Sequence, residues 1–170
     1  MFKKLTMITA ISLIVANVST TQAQEITKTY NEFNRATTWI TSTDYTDSTL
    51  SNTEIVLMLV KQQRSSGDAE FFLTIAILRE PESFTINRRV HGRMLIGEHN
   101  LLLMWTGNYF EDPCISTYQI AKPETFKEFA TGLTVKVKIT GFEDQVIFEI
   151  PQGQQLMFKK FYEKCVQKEK

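Results

Sequence analysis

The last third of this chain limits its fold most strongly, because two strand-like segments there lead directly into a helix-like one. Across residues 133–139, apolar and polar side chains alternate with a period of two, which is typical of a half-buried β-strand. A polar turn containing Gly141 follows, and residues 145–150 alternate in the same way. Together the two segments predict a β-hairpin.

A helix is predicted after this hairpin. Pro151 and Gly153 interrupt the strand pattern. Four side chains then recur at the spacing of one helix face, namely Phe158, Phe161, Tyr162 and Cys165. The thiol of Cys165 is therefore expected to point into the core.

Two apolar runs nearer the middle of the chain predict the centre of the sheet. Residues 54–62 contain six consecutive apolar residues, and residues 71–78 are equally apolar. Periodicity alone allows a helix or a strand, but the short lengths and the turn signal at residues 65–68 favour two antiparallel strands. Both faces of these strands are expected to be covered.

Weaker patterns complete the secondary structure. Residues 24–36 fit either an extended segment or a short helical turn, and shorter strands are expected at residues 37–41, 83–87, 90–96 and 100–106. Pro123 suits the first turn of a short helix over residues 122–132, and Gly132 suits its end. The predicted fold class is α+β and mostly antiparallel β: a β-sandwich-like single domain with one short helix and a C-terminal helix.

Residues 1–23 have the pattern of a secretory signal peptide. Lys3 and Lys4 precede an apolar segment at residues 5–18, and Ala23 lies in a small-residue cleavage site. An uncleaved N-terminal anchor is the alternative. Cleavage would leave residues 24–170 as a single β-rich domain in the periplasm or secreted, and this domain would not be an integral membrane protein.

The charge and motif content give no indication of nucleic acid binding or of a known catalytic site. The 170 residues balance 19 basic against 19 acidic side chains. Neither His91 nor His99 lies in a metal-binding spacing, and no common nucleophile or nucleotide motif occurs. We therefore expect no cofactor, no metal site and no catalytic residues.

The two cysteines, Cys114 and Cys165, predict one disulfide bond. Disulfides persist in the compartment that an exported chain enters, so the two thiols are expected to pair. Such a bond would close a loop of about 50 residues and stabilise the fold by about 4 kcal/mol. The alternative, a catalytic thiol with a histidine partner, has no local sequence signature.

A cluster of basic side chains is the candidate binding site. If residues 88–93 are extended, Arg89, His91 and Arg93 share one face of a strand. Such a face would bind an anionic polymer or an acidic patch of a partner, with a charge that responds to mildly acidic pH through His91. The alternative is a solvated edge strand whose cations prevent pairing with other strands.

With these segments placed, the chain resembles the small exported β-sandwich proteins of the type VI secretion accessory family called TagO or VasI. The shared features are a Ser/Thr/Asp-rich segment after Trp39, an apolar strand at Phe72, and a closing strand–strand–helix unit that ends at Cys165. In that family a cysteine pair belongs to the strand after the first turn, where this chain has Ala76 and Ile77. The late elements are also similar to those of the invasion-associated locus B type of periplasmic protein.

These observations favour a non-enzymatic exported protein that binds a partner at the cell envelope, as a secretion accessory would. The partner is expected to be another exported protein or an anionic cell-envelope polymer. An envelope hydrolase whose carboxylates converge only in the folded chain is the alternative. A deep cleft with two facing carboxylates would favour the hydrolase, and a filled sandwich would favour binding.

Overall fold

The computed structural model describes residues 25–47, 49–50, 52–80, 84–106, 112–120, 127–128 and 133–167. Within these ranges the chain forms nine strands and one α-helix. The strands are β1 (Thr27–Asn31), β2 (Ala36–Thr46), β3 (Thr53–Arg64), β4 (Ala69–Arg79), β5 (Gly92–Ile96), β6 (His99–Trp105), β7 (Ile115–Gln119), β8 (Val135–Thr140) and β9 (Gln145–Glu149), and the helix is α1 (Gln152–Cys165).

The strands form one antiparallel sheet in the order β1-β2-β3-β4-β7-β6-β5-β8-β9. Among the described residues, the ladder between strands β6 and β7 has two residue pairs, Met104 with Gln119 and Trp105 with Tyr118. This narrow junction divides the sheet into a first section, containing β1, β2, β3, β4 and β7, and a second section, containing β6, β5, β8 and β9.

The inward faces of both sections share one apolar core with α1. Leu57 and Ile75 come from the first section, Val137 and Phe148 from the second, and Phe158 from the helix, and all five side chains are buried. The sheet therefore folds around this shared core, which is compatible with a β-sandwich. The α+β, mostly antiparallel class predicted from the sequence is confirmed.

A hydrogen bond joins β2 of the first section to β9 of the second. The Tyr45 hydroxyl, near the end of β2, donates to the backbone oxygen of Glu149 in β9 at 3.0 Å. Burial, followed by the nearby Asp47 carboxylate, raises the pKa of Tyr45, so its hydroxyl remains a donor well above neutral pH. The contact ties together strands that lie far apart in the sheet order.

The elements with the strongest sequence patterns are confirmed. Strands β8 and β9 form the predicted hairpin, and the core-facing stripe of α1 includes the buried side chain of Cys165. In β3, the adjacent residues Val56 and Leu57 are both buried although they point to opposite faces. The central strands are thus covered on both sides, as expected from their continuous apolar runs.

Several segments differ from the sequence-based prediction. Strand β2 continues beyond residue 41, because its pairing with β3 runs as far as Thr46 opposite Glu54. The undecided residues 24–36 contain β1. Of the short strand predicted at residues 83–87, the structure describes residues 84–87, and there it has one bridge, between Ile86 and Gly141. Strand β7 was not predicted, although its residues are rich in β-branched and aromatic types.

The predicted disulfide between Cys114 and Cys165 is wrong, because both thiols are free and buried. Adjacent residues of a strand point to opposite sides of a sheet. Cys114 packs with Val56 and Ala76 on the outward side of β3 and β4, whereas Cys165 packs in the core on the inward side. The sheet lies between the two cysteines and keeps them apart.

Two predictions fall on residues that the structure does not describe. The signal peptide at residues 1–23 lies outside the described ranges, and so does most of the short helix at residues 122–132, of which only Lys127 and Glu128 are described. Within the described ranges, no helix is both long and apolar enough to cross a membrane.

Candidate functional site

The three basic residues predicted as a binding site, Arg89, His91 and Arg93, are all exposed, but they do not share one strand face. Strand β5 begins only at Gly92, so Arg93 alone lies on it. Arg89 lies in a turn, because its backbone N–H donates to the Asn87 side-chain oxygen at 3.1 Å. The extended backbone over residues 88–93 that a shared face requires is therefore not present before β5, and the strand predicted at residues 90–96 begins at Gly92. The binding role of the three residues stays a prediction.

His91 is held by strand β6. Its Nδ1 atom accepts a hydrogen bond from the Trp105 backbone N–H at 3.2 Å. This contact orients the imidazole ring against the end of β6.

Arg93 belongs to a row of side chains that crosses the outward face of the second section. In this row Arg93 lies between Leu102 of β6 and Lys138 of β8. Ile147 of β9 lies next to Lys138. Directly opposite side chains on neighbouring strands have Cβ atoms about 5 Å apart, so these four residues are neighbours. Two adjacent cations thus stand between two apolar side chains.

A second row runs beside the first. Leu95 lies between Asn100 and Lys136, and Lys136 lies opposite Glu149. The Lys136 ammonium and the Glu149 carboxylate form an ion pair at 3.1 Å, with both side chains about half exposed. Because this pair is solvated, it contributes little to the stability of the fold.

The two rows form one surface, which we name the cationic face and define by Arg93, Leu95, Leu102, Lys136, Lys138 and Ile147. Five of these side chains are exposed, and Lys138 is half-buried. Of the three cations, Lys136 is the one with an ion-pair partner among the residues described. Exposed apolar side chains grouped among charges are typical of an interaction surface.

A groove of about 440 Å³ lies where the ends of β2 and β9 meet the beginning of α1. The carboxylates of Asp47 and Glu149 both belong to residues that line it. The Asp47 Oδ1 atom accepts hydrogen bonds from the Thr49 backbone N–H at 2.7 Å and from the Thr49 hydroxyl at 2.6 Å. The Asp47 carboxylate therefore stabilises a turn, and the Glu149 carboxylate forms an ion pair with Lys136.

A larger cleft, of about 720 Å³, is lined by Cys114 and Asp112 among others. Burial, followed by a hydrogen bond to the Asp112 side chain, raises the pKa of the Cys114 thiol to about 12. The thiol is therefore protonated at neutral pH, and a protonated thiol is a poor nucleophile. Cys114 has the properties of a structural residue.

No protein family model, curated protein or solved structure significantly matches this chain. The resemblance to the TagO or VasI family accordingly stays a prediction from the residues given for it. In the part of the chain that the structure describes, no three His, Cys, Asp or Glu side chains lie close enough together to hold a metal ion.

The sequence pattern indicated only one member of the cationic face, Arg93. The alternating pattern of residues 133–139 predicted that Lys136 and Lys138 lie on the polar face of a strand. It did not predict which strand lies beside that one. Strands β5 and β8 are neighbours in the sheet although they are far apart in the sequence. The site could have been predicted only from the pairing of β5 with β8, because both strands carry outward cations. A local sequence pattern does not contain this pairing.

Proposed function

We propose that this protein is an exported, non-enzymatic binding protein that docks an acidic protein partner on its cationic face. The row formed by Leu102, Arg93, Lys138 and Ile147 carries the proposal, because exposed apolar side chains there flank two adjacent cations. Like charges directly opposite each other on neighbouring strands repel. An acidic partner would relieve this repulsion and cover the apolar side chains at the same time.

The apolar side chains favour a protein over an anionic envelope polymer as the partner. Burial of apolar surface contributes about 25 cal/mol per Å², and a partner needs apolar groups of its own to supply that burial. A polyanion binds mainly through charges, and its affinity falls as salt screens them. Leu95, Leu102 and Ile147 would remain in water in a complex with such a polymer.

Export rests on the pattern of residues 1–23, and the resemblance to the TagO or VasI family supports a secretion-accessory role. A fusion of residues 1–30 to a phosphatase that is active only outside the cytoplasm tests export. We expect phosphatase activity from this fusion, and less activity when Lys3 and Lys4 are both replaced by glutamate, because the basic n-region directs the segment to the export machinery. An inactive fusion would contradict export.

Affinity capture from an envelope extract tests the docking surface. The native chain is immobilised beside two variants of the cationic face, Arg93→Glu with Lys138→Glu and Leu95→Ser with Leu102→Ser. We expect the native chain to retain one acidic protein that both variants lose. The retained amount should fall at high salt, because complementary charges contribute to its binding.

Lys159→Glu with Lys160→Glu provides the matched control, since it reverses two charges on exposed positions of α1. This control should retain the same protein as the native chain, and all variants should keep the native melting temperature. If the leucine variant retains a ligand that the charge variant loses, the ligand is an anionic polymer and the protein-partner proposal is wrong. If the native chain and all variants retain equal amounts of the same protein, that protein binds outside the cationic face and the proposal is wrong.

The groove that Asp47 and Glu149 line is the observation that favours the alternative, an envelope hydrolase. In most glycosidases, two carboxyl groups flank the scissile bond. Release of soluble product from purified cell-wall glycan by the native chain, and its loss in Asp47→Asn and Glu149→Gln, would support the hydrolase. The binding function implies that neither the native chain nor these variants release product.

A further inference from the structure

Strand β9 is one edge of the sheet, and alternate backbone groups of this strand point away from β8. The Ile150 N–H donates to the Val135 carbonyl at 2.9 Å, and the Gly141 N–H donates to the Asp144 carbonyl at 2.7 Å. These bonds identify the hydrogen-bonded pairs of the β8–β9 ladder. The residues between them direct their N–H and C=O groups outward, and they are Gln145, Ile147 and Glu149.

Among the described strands, none pairs with this outward side of β9. The Glu149 carbonyl accepts the Tyr45 hydroxyl, but a carbonyl oxygen has a second lone pair. Ile147, in the middle of the edge, is exposed. The opposite edge of the sheet, β1, carries the exposed Lys28, and lysine on an edge discourages pairing. Strand β9 instead carries the apolar Ile147 in the middle of its edge, where a lysine would discourage pairing.

We propose that β9 pairs antiparallel with β9 of a second copy of this chain, with Ile147 opposite its own counterpart. In this register two apolar side chains meet at the two-fold axis, and Gln145 lies opposite Glu149, so no like charges face each other. A register centred on Glu149 would place two carboxylates opposite each other. A register centred on Gln145 would place Ile147 opposite Glu143.

Pairing in this register would extend the cationic face across both copies. The row that ends at Ile147 would continue into the same row of the second copy, so that two equivalent surfaces lie on one sheet. A partner with repeated acidic sites would bind such a pair more tightly than a single face. The dimer itself rests on the edge of β9 that no described strand pairs with, and not on the proposed function, so each is tested separately.

Cysteine cross-linking tests both the dimer and its register. Opposite residues of a hydrogen-bonded pair have Cα atoms about 5.5 Å apart, which lies within the span of a disulfide. Ile147→Cys should therefore form a covalent dimer under mild oxidation with copper phenanthroline. The native cysteines are buried, so the native chain treated in the same way should run as a monomer on a non-reducing gel.

Gln145→Cys is the matched control, because the proposed register separates the two copies of this residue by about 13 Å along the strands. This variant should give little covalent dimer alone, but it should cross-link when it is mixed with Glu149→Cys. Efficient cross-linking between Gln145→Cys and Ile147→Cys in place of that pattern would contradict the register.

Removal of one outward donor tests the pairing without an added thiol. Ile147→Pro deletes an N–H that points away from β8, and proline is tolerated on edge strands. In sedimentation experiments the native chain should form a concentration-dependent dimer, and the Ile147→Pro protein should remain a monomer. Two results together would overturn the proposal. The native chain would stay monomeric up to its solubility limit, and Ile147→Cys would cross-link no more than the Gln145→Cys control.

Discussion

The Lys61 ammonium donates a hydrogen bond to the backbone oxygen of Cys165 at 2.8 Å, and the lysine side chain is buried. Lys61 lies in β3, and Cys165 is the last residue of α1, where the helix dipole places partial negative charge. The same ammonium lies 4.7 Å from the centre of the Trp39 ring. A buried cation therefore holds the C-terminal end of the helix against the first section of the sheet.

Replacement of Lys61 with methionine should lower the free energy of unfolding by about 1.5–3 kcal/mol, as expected for a hydrogen bond from a charged group. Methionine fills similar space, so the change removes the ammonium more than the packing. Lys28→Met is the control, because Lys28 also lies over Trp39, at 5.3 Å, but is exposed. The Lys28→Met variant should lose at most about 1 kcal/mol of unfolding free energy. Equal losses in urea unfolding would mean that the bond to Cys165 contributes nothing.

Gly141 lies too close to Phe84 to carry a side chain. A Cβ atom there would be 2.8 Å from the buried Phe84 ring and 3.0 Å from the Thr85 carbonyl oxygen. Gly141→Ala should therefore destabilise the fold by about 1–3 kcal/mol through overpacking. Gly153→Ala, with no atom within 4 Å of the added carbon, should be neutral or stabilise α1 by up to about 1 kcal/mol. Thermal unfolding that shows no difference between the variants would rule out this close contact.

Both cysteines are expected to be free thiols in the isolated protein. Labelling of denatured, unreduced protein should detect both Cys114 and Cys165, and labelling of the native chain should be slow because the two side chains are buried. Mass spectrometry of tryptic peptides identifies the labelled positions. A peptide in which the two residues are linked would show that the sheet does not separate them.

The stability of the fold should fall at alkaline pH in part because of Cys114. Burial, and then Asp112, raises the pKa of this thiol to about 12 in the folded chain, whereas a cysteine in an unfolded chain has a pKa of about 8.5. The unfolded state therefore loses its proton first, so the stabilising contribution is complete below about pH 8.5 and is lost as the pH rises towards about 12. Urea unfolding between about pH 7 and about pH 10 should show a shallower decline for Cys114→Ala than for the native chain. Identical slopes would contradict the raised pKa.

The elements that the sequence predicted well are those whose contacts are local. The β8–β9 hairpin and α1 follow one another, so alternation, a turn and a helical stripe were sufficient to place them. The paired strands β3 and β4 are also consecutive, and their apolar runs indicated burial on both faces. In each case the residues that determine the element lie within it or beside it in the sequence.

The predictions that failed depend on which distant strands become neighbours. The side of the sheet on which Cys114 lies follows from the position of β7 beside β4, and no local pattern of residues contains this information. The disulfide prediction was wrong for this reason. The candidate site was found only in part for the same reason, since the neighbour of Arg93 across the sheet is Lys138, from a strand late in the chain.

Hydroxyl-radical footprinting of the complex with the captured partner tests most directly whether the cationic face is the docking surface. Leu102 on this face and Leu156 on α1 are the same residue type and are both 55% exposed in the free chain. Their side chains should therefore oxidise at comparable rates before the partner is added. Partner binding is expected to protect Leu102, together with Leu95, and to leave Leu156 unchanged. Protection of Leu156 alone, or equal protection of Leu102 and Leu156, would contradict docking on the cationic face.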